Sequence, residues 1–220
     1  NDVISAGAGN DTINGGNGDD WIYGGDGINI IDGGDGIDTV DANFSSVTDA
    51  LNLDDSDTAK NFTFGDGTTI LNVEAFRDLT LGSGSDVVNF TRRINNTING
   101  GTGNDTINGG LGQDTINGGG GTDLLVVDYS NNTYTGSYFR PAGISSSINS
   151  SGNGSYTAYY ADSSSYYDQV SFSNVERFQI TGTETGDNIT TGSGNDIING
   201  GDGNDVISAG AGNDTINGGN

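Results

Sequence analysis

A nine-residue repeat recurs along the sequence and limits the folds that are open to it. Positions one, two and four are mostly glycine, position six is mostly aspartate, and position eight is a large aliphatic residue. The copies fall into three blocks: AGAGNDTIN (6–14), GGNGDDWIY (15–23), GGDGINIID (24–32) and GGDGIDTVD (33–41); GGTGNDTIN (100–108), GGLGQDTIN (109–117) and GGGGTDLLV (118–126); and TGSGNDIIN (191–199), GGDGNDVIS (200–208) and AGAGNDTIN (209–217). Such repeats predict a solenoid, in which each unit buries its apolar side only by stacking on its neighbours.

The aliphatic residue at position eight predicts a short strand in every copy. One apolar residue between polar neighbours makes a three-residue strand with a single inward side chain. Glycines supply the positive φ angles that turn the chain back, so two copies close a coil of 18 residues and successive coils stack as parallel strands about 4.8 Å apart. A flexible Gly/Asp linker is the alternative, but it would not keep an aliphatic residue at this position. These residues are Ile4, Ile13, Ile22, Ile31, Val40, Val88, Ile98, Ile107, Ile116, Leu125, Ile189, Ile198, Ile207 and Ile216.

The excess of acidic residues indicates which kinds of molecule the chain can bind. Asp and Glu number 30 against 6 Lys and Arg, which gives a formal net charge of −24, and the 220 residues include 40 Gly but no His and no Cys. So acidic a chain is not expected to bind nucleic acid, and it points to cations as partners. No apolar run is long enough to predict a membrane span. Without His or Cys the usual catalytic triads and zinc protease sites are excluded in this sequence, and no enzyme activity is expected.

The repeat G-G-x-G-x-D-x-U-x, with U a large aliphatic residue, resembles the calcium-binding nonapeptide of RTX (repeats-in-toxin) proteins over roughly 125 residues. The resemblance implies an all-β fold, a parallel β-roll or β-helix solenoid with Ca²⁺ in the GGxGxD loops. It implies that carboxylates and loop carbonyls from two stacked turns enclose each ion. It also implies an extracellular or cell-surface location after type I secretion, through a one-step bacterial channel.

The aspartates at position six are the candidate metal ligands. Stacking brings residues 18 apart onto one edge, where bare carboxylates about 5 Å apart repel one another. Calcium reverses that interaction, since it accepts 6–8 oxygens in loose geometry, including the main-chain carbonyls that Gly-rich turns expose; magnesium fits such a loop poorly. A single aspartate here is more simply a turn-forming residue, whereas twelve in register favour calcium. They are Asp2, Asp11, Asp20, Asp38, Asp86, Asp105, Asp114, Asp123, Asp187, Asp196, Asp205 and Asp214.

Counting the pairs on a shared edge predicts about eight ions. The pairs are 2/20, 11/29, 20/38, 86/105, 96/114, 105/123, 187/205 and 196/214. Asn29 and Asn96 stand where an acid is expected, so their pairs should bind more weakly. The copy FTRRINNTIN at 90–99 also lacks its glycines and carries Arg92 and Arg93. We expect that loop to hold no calcium and to have an arginine near the position of the ion.

Two insertions divide the chain. The predicted organisation is an RTX block at 1–41, an insertion at 42–80, a second block at 81–126, an insertion at 127–181 and a third block at 182–220, all in one solenoid domain. Both insertions end in Asn-Val-Glu-x-Phe, at 72–76 and 174–178, which predicts a strand re-entering the roll with Val and Phe on one face. In the first insertion VTDALNL and NFTFGDGTTIL predict a strand pair around the turn Gly65-Asp66-Gly67.

The second insertion is rich in Ser, Tyr and Asn between residues 143 and 168. Tyrosines among small polar residues are typical of recognition surfaces, because rigid rings give contact area at a small loss of entropy. Two interpretations stay open: a β-hairpin covering the roll, with its tyrosines packed sideways, or a contact surface for a glycan or a protein. The residues concerned are Tyr156, Tyr159, Tyr160, Tyr166 and Tyr167.

The two ends of the sequence are identical. Residues 1–17 and 204–220 both read NDVISAGAGNDTINGGN, an offset of 203 residues. Identity of this length predicts a tandem array with a 203-residue unit joined head to tail to further copies, so we expect the sequence to be a piece of a longer protein. An artificial duplication or a shuffled short repeat is the alternative.

These features favour a calcium-binding structural repeat of a long extracellular protein, such as a filament, an adhesin stalk or a surface layer. Repeat proteins of this kind set their length by copy number. One alternative is a calcium β-roll accessory domain of a secreted enzyme or toxin, with the catalytic residues elsewhere. Another is an ice- or glycan-binding face built from outward Thr and Asn residues, although Trp21 and Tyr23 interrupt its regularity.

Overall fold

The fold is all-β. The computed structural model describes residues 1–55, 61–130, 141–160 and 163–220, and these contain 22 strands and no α-helix. The described ranges therefore hold no segment of helix able to cross a membrane. The parallel β-roll predicted from the repeats is confirmed.

The strands of the N-terminal half are β1 (Val3–Ser5), β2 (Thr12–Asn17), β3 (Trp21–Tyr23), β4 (Ile30–Asp35), β5 (Thr39–Asn43), β6 (Asn52–Asp54), β7 (Phe62–Thr63), β8 (Thr69–Leu71), β9 (Ala75–Thr80), β10 (Val87–Asn89) and β11 (Thr97–Asn99). Those that follow are β12 (Thr106–Asn108), β13 (Gln113–Asn117), β14 (Leu124–Asp128), β15 (Pro141–Ile148), β16 (Gly154–Tyr160), β17 (Ser163–Ser173), β18 (Arg177–Thr181), β19 (Asn188–Thr190), β20 (Ile197–Asn199), β21 (Val206–Ser208) and β22 (Thr215–Asn217).

Successive repeats alternate between the walls of the roll. One wall is an 11-stranded sheet in the order β1-β3-β5-β9-β11-β13-β17-β16-β15-β19-β21. The facing strands form a 7-stranded sheet, β22-β20-β18-β14-β12-β10-β6, and a 4-stranded sheet, β2-β4-β8-β7. The register within the repeats is parallel with an 18-residue step, as in Ile4 opposite Ile22. The step from Val88 to Ile107 is one residue longer, because the copy at 90–99 has ten residues.

The residues at position eight form the core. In most repeat strands the central side chain is buried and its two neighbours face outward, and Ile22, Ile107 and Ile189 are at most 1% exposed. Full burial of each such side chain contributes about 2 kcal/mol to the free energy of unfolding. A core only one side chain deep per strand explains how a glycine-rich chain remains ordered.

The strands of the first insertion are divided among the three sheets. The segment NFTFGDGTTIL forms the antiparallel pair β7–β8, with Phe62 opposite Ile70 around the expected turn. The segment VTDALNL does not join that hairpin, since its strand β6 pairs in parallel with β10, with Leu53 opposite Val88. The insertion thus adds β6 to the 7-stranded sheet, β7 and β8 to the 4-stranded sheet, and β9 to the 11-stranded sheet.

The second insertion is an antiparallel meander, β15–β16–β17, built into the wall between β13 and β19. It extends the roll instead of lying across it. Tyr156 is consequently a core residue: it is 0% exposed, its ring stacks on Phe172, and its hydroxyl donates to the carbonyl of Thr190 at 2.9 Å. Tyr159 is 43% exposed, with its ring 6.1 Å from that of Tyr167. The side chains of Tyr160 and Tyr166 lie outside the described residues.

Candidate metal centres

The loops between strands are shaped by glycines with positive φ. In the copy at 15–23, Gly16 has φ 97° and Gly18 has φ 108°, a region that only glycine enters without strain. The chain turns at these two glycines, so positions one to six form a compact loop. Loops of alternate copies then stack directly on one another along each edge of the roll, because their flanking strands are in register.

A ladder of hydrogen bonds joins the residues at position six. The main-chain N–H of Asp20 donates to Oδ1 of Asp38 at 2.8 Å, and that of Asp105 donates to Oδ1 of Asp123 at 2.8 Å. In each case the acceptor lies one coil further along the chain. The structure brings together in this way every pair counted from the sequence: 2/20, 11/29, 20/38, 86/105, 96/114, 105/123, 187/205 and 196/214.

The second carboxylate oxygen has no partner in most of these residues. Within the described part of the chain, Oδ2 is buried and makes no hydrogen bond in Asp11, Asp20, Asp38, Asp86, Asp105, Asp114, Asp123, Asp196 and Asp205. Asp187 differs, since its Oδ2 accepts a hydrogen bond from the N–H of Thr183 at 2.8 Å. Asp2 and Asp214 lie in the outermost described coils and are not fully buried. Burying an unpaired carboxylate oxygen is strongly unfavourable, so a positively charged group beside Oδ2 would stabilise these loops.

The glycine at position one keeps space open beside that oxygen. A Cβ on Gly15 would lie 2.6 Å from Oδ2 of Asp20 and 2.4 Å from the carbonyl oxygen of Gly33 in the next coil. A Cβ on Gly100 would meet Oδ2 of Asp105 and the next carbonyl oxygen at 2.7 and 2.3 Å. These two loops therefore each contain a small space bounded by a carboxylate of the same copy and a carbonyl of the copy stacked on it.

Burial raises the pKa of six of these carboxyl groups and so disfavours their ionised form. It raises the pKa of Asp114 to about 8, and it raises the pKa of Asp105 to about 6, with the charges of Asp86 and Asp123 adding to the effect on Asp105. Burial is likewise the largest cause of the raised pKa of Asp38, Asp86, Asp123 and Asp187. At neutral pH a cation in the loop would remove this penalty.

The donor atoms suit a hard cation. They are carboxylate and carbonyl oxygens, with no nitrogen or sulfur, and calcium takes 6–8 such ligands in flexible geometry. Nowhere in the described ranges do three or more acidic side chains surround one point, so main-chain carbonyls have to complete any coordination shell. The orphaned Oδ2 atoms and the open space at position one fit Ca²⁺.

Comparison with known families decides the assignment. The model of the RTX calcium-binding nonapeptide repeat matches four stretches, residues 1–31, 23–45, 94–125 and 181–220, which together cover more than half of the chain. The chain belongs to the RTX calcium-binding nonapeptide repeat family. RTX repeats bind Ca²⁺, and they are structural elements. None of the curated proteins compared with the chain matches it.

Two RTX loops carry asparagine at position six, and in both the side-chain amide nitrogen donates hydrogen bonds to loop oxygens. Nδ2 of Asn29 donates to the carbonyl of Gly24 at 3.2 Å, within its own loop. Nδ2 of Asn96 donates to the carbonyl of Gly109 at 2.8 Å and to Oδ1 of Asp114 at 3.1 Å. These neutral donors satisfy loop oxygens that remain available in the Asp copies.

The atypical copy at 90–99 contains an ion pair. Arg93 contacts the carboxylate of Asp168, which is 0% exposed and also accepts a hydrogen bond from the N–H of Gly112 at 2.9 Å. The sequence placed an arginine in this loop, but it gave no sign that the partner would come from the second insertion, 75 residues away. In this loop a guanidinium provides the positive charge.

Sequence reasoning missed a second ladder at position five. Oδ1 of Asn10 accepts a hydrogen bond from the N–H of Ile28 at 3.0 Å, and Oδ1 of Asn104 accepts one from the N–H of Thr122 at 2.8 Å. This ladder runs in the opposite direction to the one at position six, because here the donor is in the later coil. The recurrent Asn-Asp pair at positions five and six was the signal that could have revealed it.

Proposed function

We propose that the twelve aspartates at position six hold about eight calcium ions between stacked loops, and that the chain is a calcium-dependent structural repeat of a long extracellular protein. The observation that carries the proposal is the row of buried, unpartnered Oδ2 atoms along the loops. In the loops that begin with Gly15, Gly33, Gly100, Gly118 and Gly200, Oδ2 lies beside a carbonyl oxygen of the next coil, and a Cβ on the glycine would clash with both atoms.

The pair 105/123 illustrates the ligands. Asp105 offers Oδ2, Gly118 offers its carbonyl oxygen from the coil above, and Asp123 offers the carboxylate that also accepts the N–H of Asp105. When bound, calcium supplies the two positive charges that the facing carboxylates need. The two asparagine pairs, 11/29 and 96/114, offer one carboxylate fewer and are the weakest sites.

Calcium then acts as the switch for folding. With a net charge of −24 and buried carboxylates, the roll is unfavourable when calcium is scarce. Because the loops exist only in the folded state, the free energy of calcium binding adds directly to the free energy of folding. A chain with this property stays unfolded in a low-calcium cytosol and folds after export into millimolar calcium.

Far-UV circular dichroism at neutral pH tests this coupling. We expect a coil-like spectrum in EDTA, a β spectrum after calcium is added in excess, and no comparable recovery with magnesium at the same concentration. A chain that keeps its β spectrum in chelator would refute the proposal.

The duplicated segments support a tandem array. Ile13 and Ile216 occupy the same position in the identical segments 1–17 and 204–220, but Ile13 is 6% exposed and Ile216 is 52% exposed. The difference arises because Ile31 of the next coil covers only Ile13. The coil that follows residues 1–17 would bury Ile216 in the same way.

The two ends also present matching strand edges. Ile4 in β1 pairs with Ile22 on one side, and its equivalent, Ile207 in β21, pairs with Ile189 on the other. One coil with this sequence can therefore be the last coil of one unit and the first coil of the next, with a parallel partner on both faces. Such continuation also covers strand edges that otherwise favour aggregation.

Small-angle scattering of proteins with one, two and three units, each joined at the 203-residue offset, tests the array. We expect the maximum dimension to increase by a constant amount per unit in calcium, with the scattering profile of a stiff rod. A profile typical of separate bodies on flexible joints would contradict a continuous roll. A constant rise per unit suits a filament, an adhesin stalk or a surface layer, where copy number determines length.

A further inference from the structure

The segment Asn-Val-Glu at 72–74 stacks on a repeat loop although it has no repeat sequence. The strand residues on either side of it, Leu71 and Ala75, pair with the residues on either side of the loop 33–38. Three residues therefore occupy the place that six residues occupy in the coil below.

Glu74 lies at the register of position six. Its Oε2 accepts the main-chain N–H of Asp38 at 2.9 Å, just as Oδ1 of Asp38 accepts the N–H of Asp20 at 2.8 Å. The longer Glu side chain reaches a donor that an aspartate reaches in the full-length loops. The ladder of carboxylates thus continues past the last repeat of the block.

The main chain of the short loop also replaces the glycine carbonyl. A Cβ on Gly33 would lie 2.2 Å from the carbonyl oxygen of Asn72 and 2.6 Å from Oδ2 of Asp38. These are close to the distances that a Cβ on Gly15 would have to its carbonyl and carboxylate neighbours. Asn72 has φ 50°, a left-handed conformation that Asn tolerates and that allows three residues to turn the chain.

The second insertion repeats the arrangement. Oε2 of Glu176 accepts the N–H of Asp123 at 2.9 Å. A Cβ on Gly118 would lie 2.1 Å from the carbonyl oxygen of Asn174 and 2.7 Å from Oδ2 of Asp123. Asn174 has the same φ of 50° as its counterpart in the first insertion. Two insertions that differ in length and strand number therefore end in one local structure.

An independent feature of these two places points to a ligand. Asp38 is 0% and Asp123 is 1% exposed, and Oδ2 of each is buried without a hydrogen-bond partner among the described residues. Each of these atoms lies beside the Asn carbonyl.

We propose that the Asn-Val-Glu segments form two additional calcium sites, one between Asp38 and Glu74 and one between Asp123 and Glu176, each completed by the Asn carbonyl oxygen. The matched repeat stretches include neither glutamate. The proposal rests on the proposed calcium role of the repeat aspartates, and it extends that role to the junctions where each insertion rejoins the roll. An ion at each junction fixes the start of the re-entry strand.

Calcium stoichiometry of the full chain tests the proposal. Glu74→Gln and Glu176→Gln keep an oxygen for the aspartate N–H but remove the charge, so each should lower the number of ions bound in equilibrium dialysis by one, and the double variant by two. The matched control is Glu184→Gln, since Glu184 is the third glutamate of the chain and is exposed, and it should leave the number unchanged.

Asp105→Asn separates this proposal from the broader one. If the wild type binds calcium and Asp105→Asn lowers the stoichiometry while the double glutamine variant does not, the glutamates are simple caps and the two added sites are refuted. If the wild type binds no calcium, the proposed function itself fails. Circular dichroism in excess calcium checks that the variants fold; should Glu74→Gln not fold, the stoichiometry of Glu176→Gln alone decides, because that side chain is exposed.

Discussion

The repeats at 100–126 and the copy at 90–99 lie in neighbouring coils of one roll, but the groups beside their loop oxygens differ. In the first region buried carboxylates such as that of Asp105 lie beside loop carbonyls, and Oδ2 of Asp105 has no hydrogen-bond partner among the described residues. In the second, Arg93 meets Asp168 and the amide of Asn96 donates to a loop carbonyl. The backbone register is the same in both, since Thr97 and Ile98 pair with Thr115 and Ile116.

The difference shows what a loop of this roll requires. The stacked oxygens need a donor or a positive charge, and an amide, a guanidinium or a calcium ion can each provide it. The first two are covalent parts of the chain and are always present. Calcium is exchangeable, so the Asp–Asp coils should respond most strongly to the surrounding calcium concentration.

The largest effect should come from removing two stacked acids. Asp105→Ala with Asp123→Ala takes away ligands and also the acceptors for the N–H groups of Asp86 and Asp105. We expect each substitution to lower the free energy of unfolding in calcium by about 3 kcal/mol, and the calcium midpoint of folding to rise. Thermal unfolding and calcium titration by circular dichroism measure both. Asp35→Ala, which removes an exposed acid, is the control and should change little.

Asp105→Asn refines that comparison. By analogy with Asn29, whose Oδ1 accepts the N–H of Asp11 and whose Nδ2 donates to the carbonyl of Gly24, the amide should keep the acceptor for the main chain and place a donor beside a loop carbonyl. We expect a smaller loss of stability than with alanine, together with fewer bound ions, because Asp105 belongs to the two pairs 86/105 and 105/123. Equal destabilisation by Asn and Ala would show that an amide does not replace the cation in this loop.

A methyl group in the open space should have the next largest effect. Gly100→Ala puts Cβ against Oδ2 of Asp105 and the carbonyl of Gly118, so we expect a loss of about 3 kcal/mol and exclusion of the ion. Gly192→Ala meets nothing within 4 Å and is the matched control. Chemical denaturation in calcium separates them.

The duplicated segments supply a second pair of glycines for the same measurement. Gly15 and Gly218 are equivalent, but only Gly15 has a carbonyl and a carboxylate in the way of a Cβ. Alanine at Gly218 should be tolerated in the 220-residue chain and should destabilise a two-unit protein. Tolerance in both would contradict the continuous roll.

The ion pair of the atypical copy should give an intermediate effect that calcium does not alter. Arg93→Gln removes the cationic partner of buried Asp168, and we expect a loss of about 2 kcal/mol, less than for a fully buried pair because the Arg93 side chain is 32% exposed. A double-mutant cycle with Asp168→Asn, measured at two saturating calcium concentrations, gives the coupling. A loss that disappears as calcium rises would place an ion in this loop.

The smallest effect is expected from restoring an acid. Asn29→Asp keeps the acceptor for the N–H of Asp11 and completes the pair 11/29 with a second carboxylate. We expect tighter calcium binding at this pair and a calcium midpoint lowered by less than about twofold, since one of several sites is strengthened. An unchanged calcium affinity would mean that the charge at position six does not limit binding at this pair.

The sequence predicted the features that recur every nine residues. Position eight defined inward residues such as Ile107, and position six defined the edges on which Asp105 and Asp123 meet, because a fixed period converts directly into a fixed register. The calcium role of those edges stays a prediction from the residues and the geometry together.

What lay outside the period was harder to predict. Arg93 and Asp168 are distant in sequence, and the pairing of β6 with β10 joins segments that no local pattern links. Glu74 lies two residues after Asn72, whereas the corresponding residues of a repeat are five apart, so no motif of fixed spacing could align them. Tyr156 stood in a composition typical of surfaces, but its strand forms part of the wall, which directs the ring inward.

The 18-residue register has a mechanical consequence. The hydrogen bonds of the sheets and the contacts between loops run along the roll axis. A force that pulls the two ends apart would therefore act on every coil along that axis. One folded coil contributes about 4.8 Å to the length of the roll, and the same 18 residues span about 60 Å when they are unfolded and extended. Under tension the roll would therefore lengthen stepwise, with bound calcium setting the force at which each step occurs.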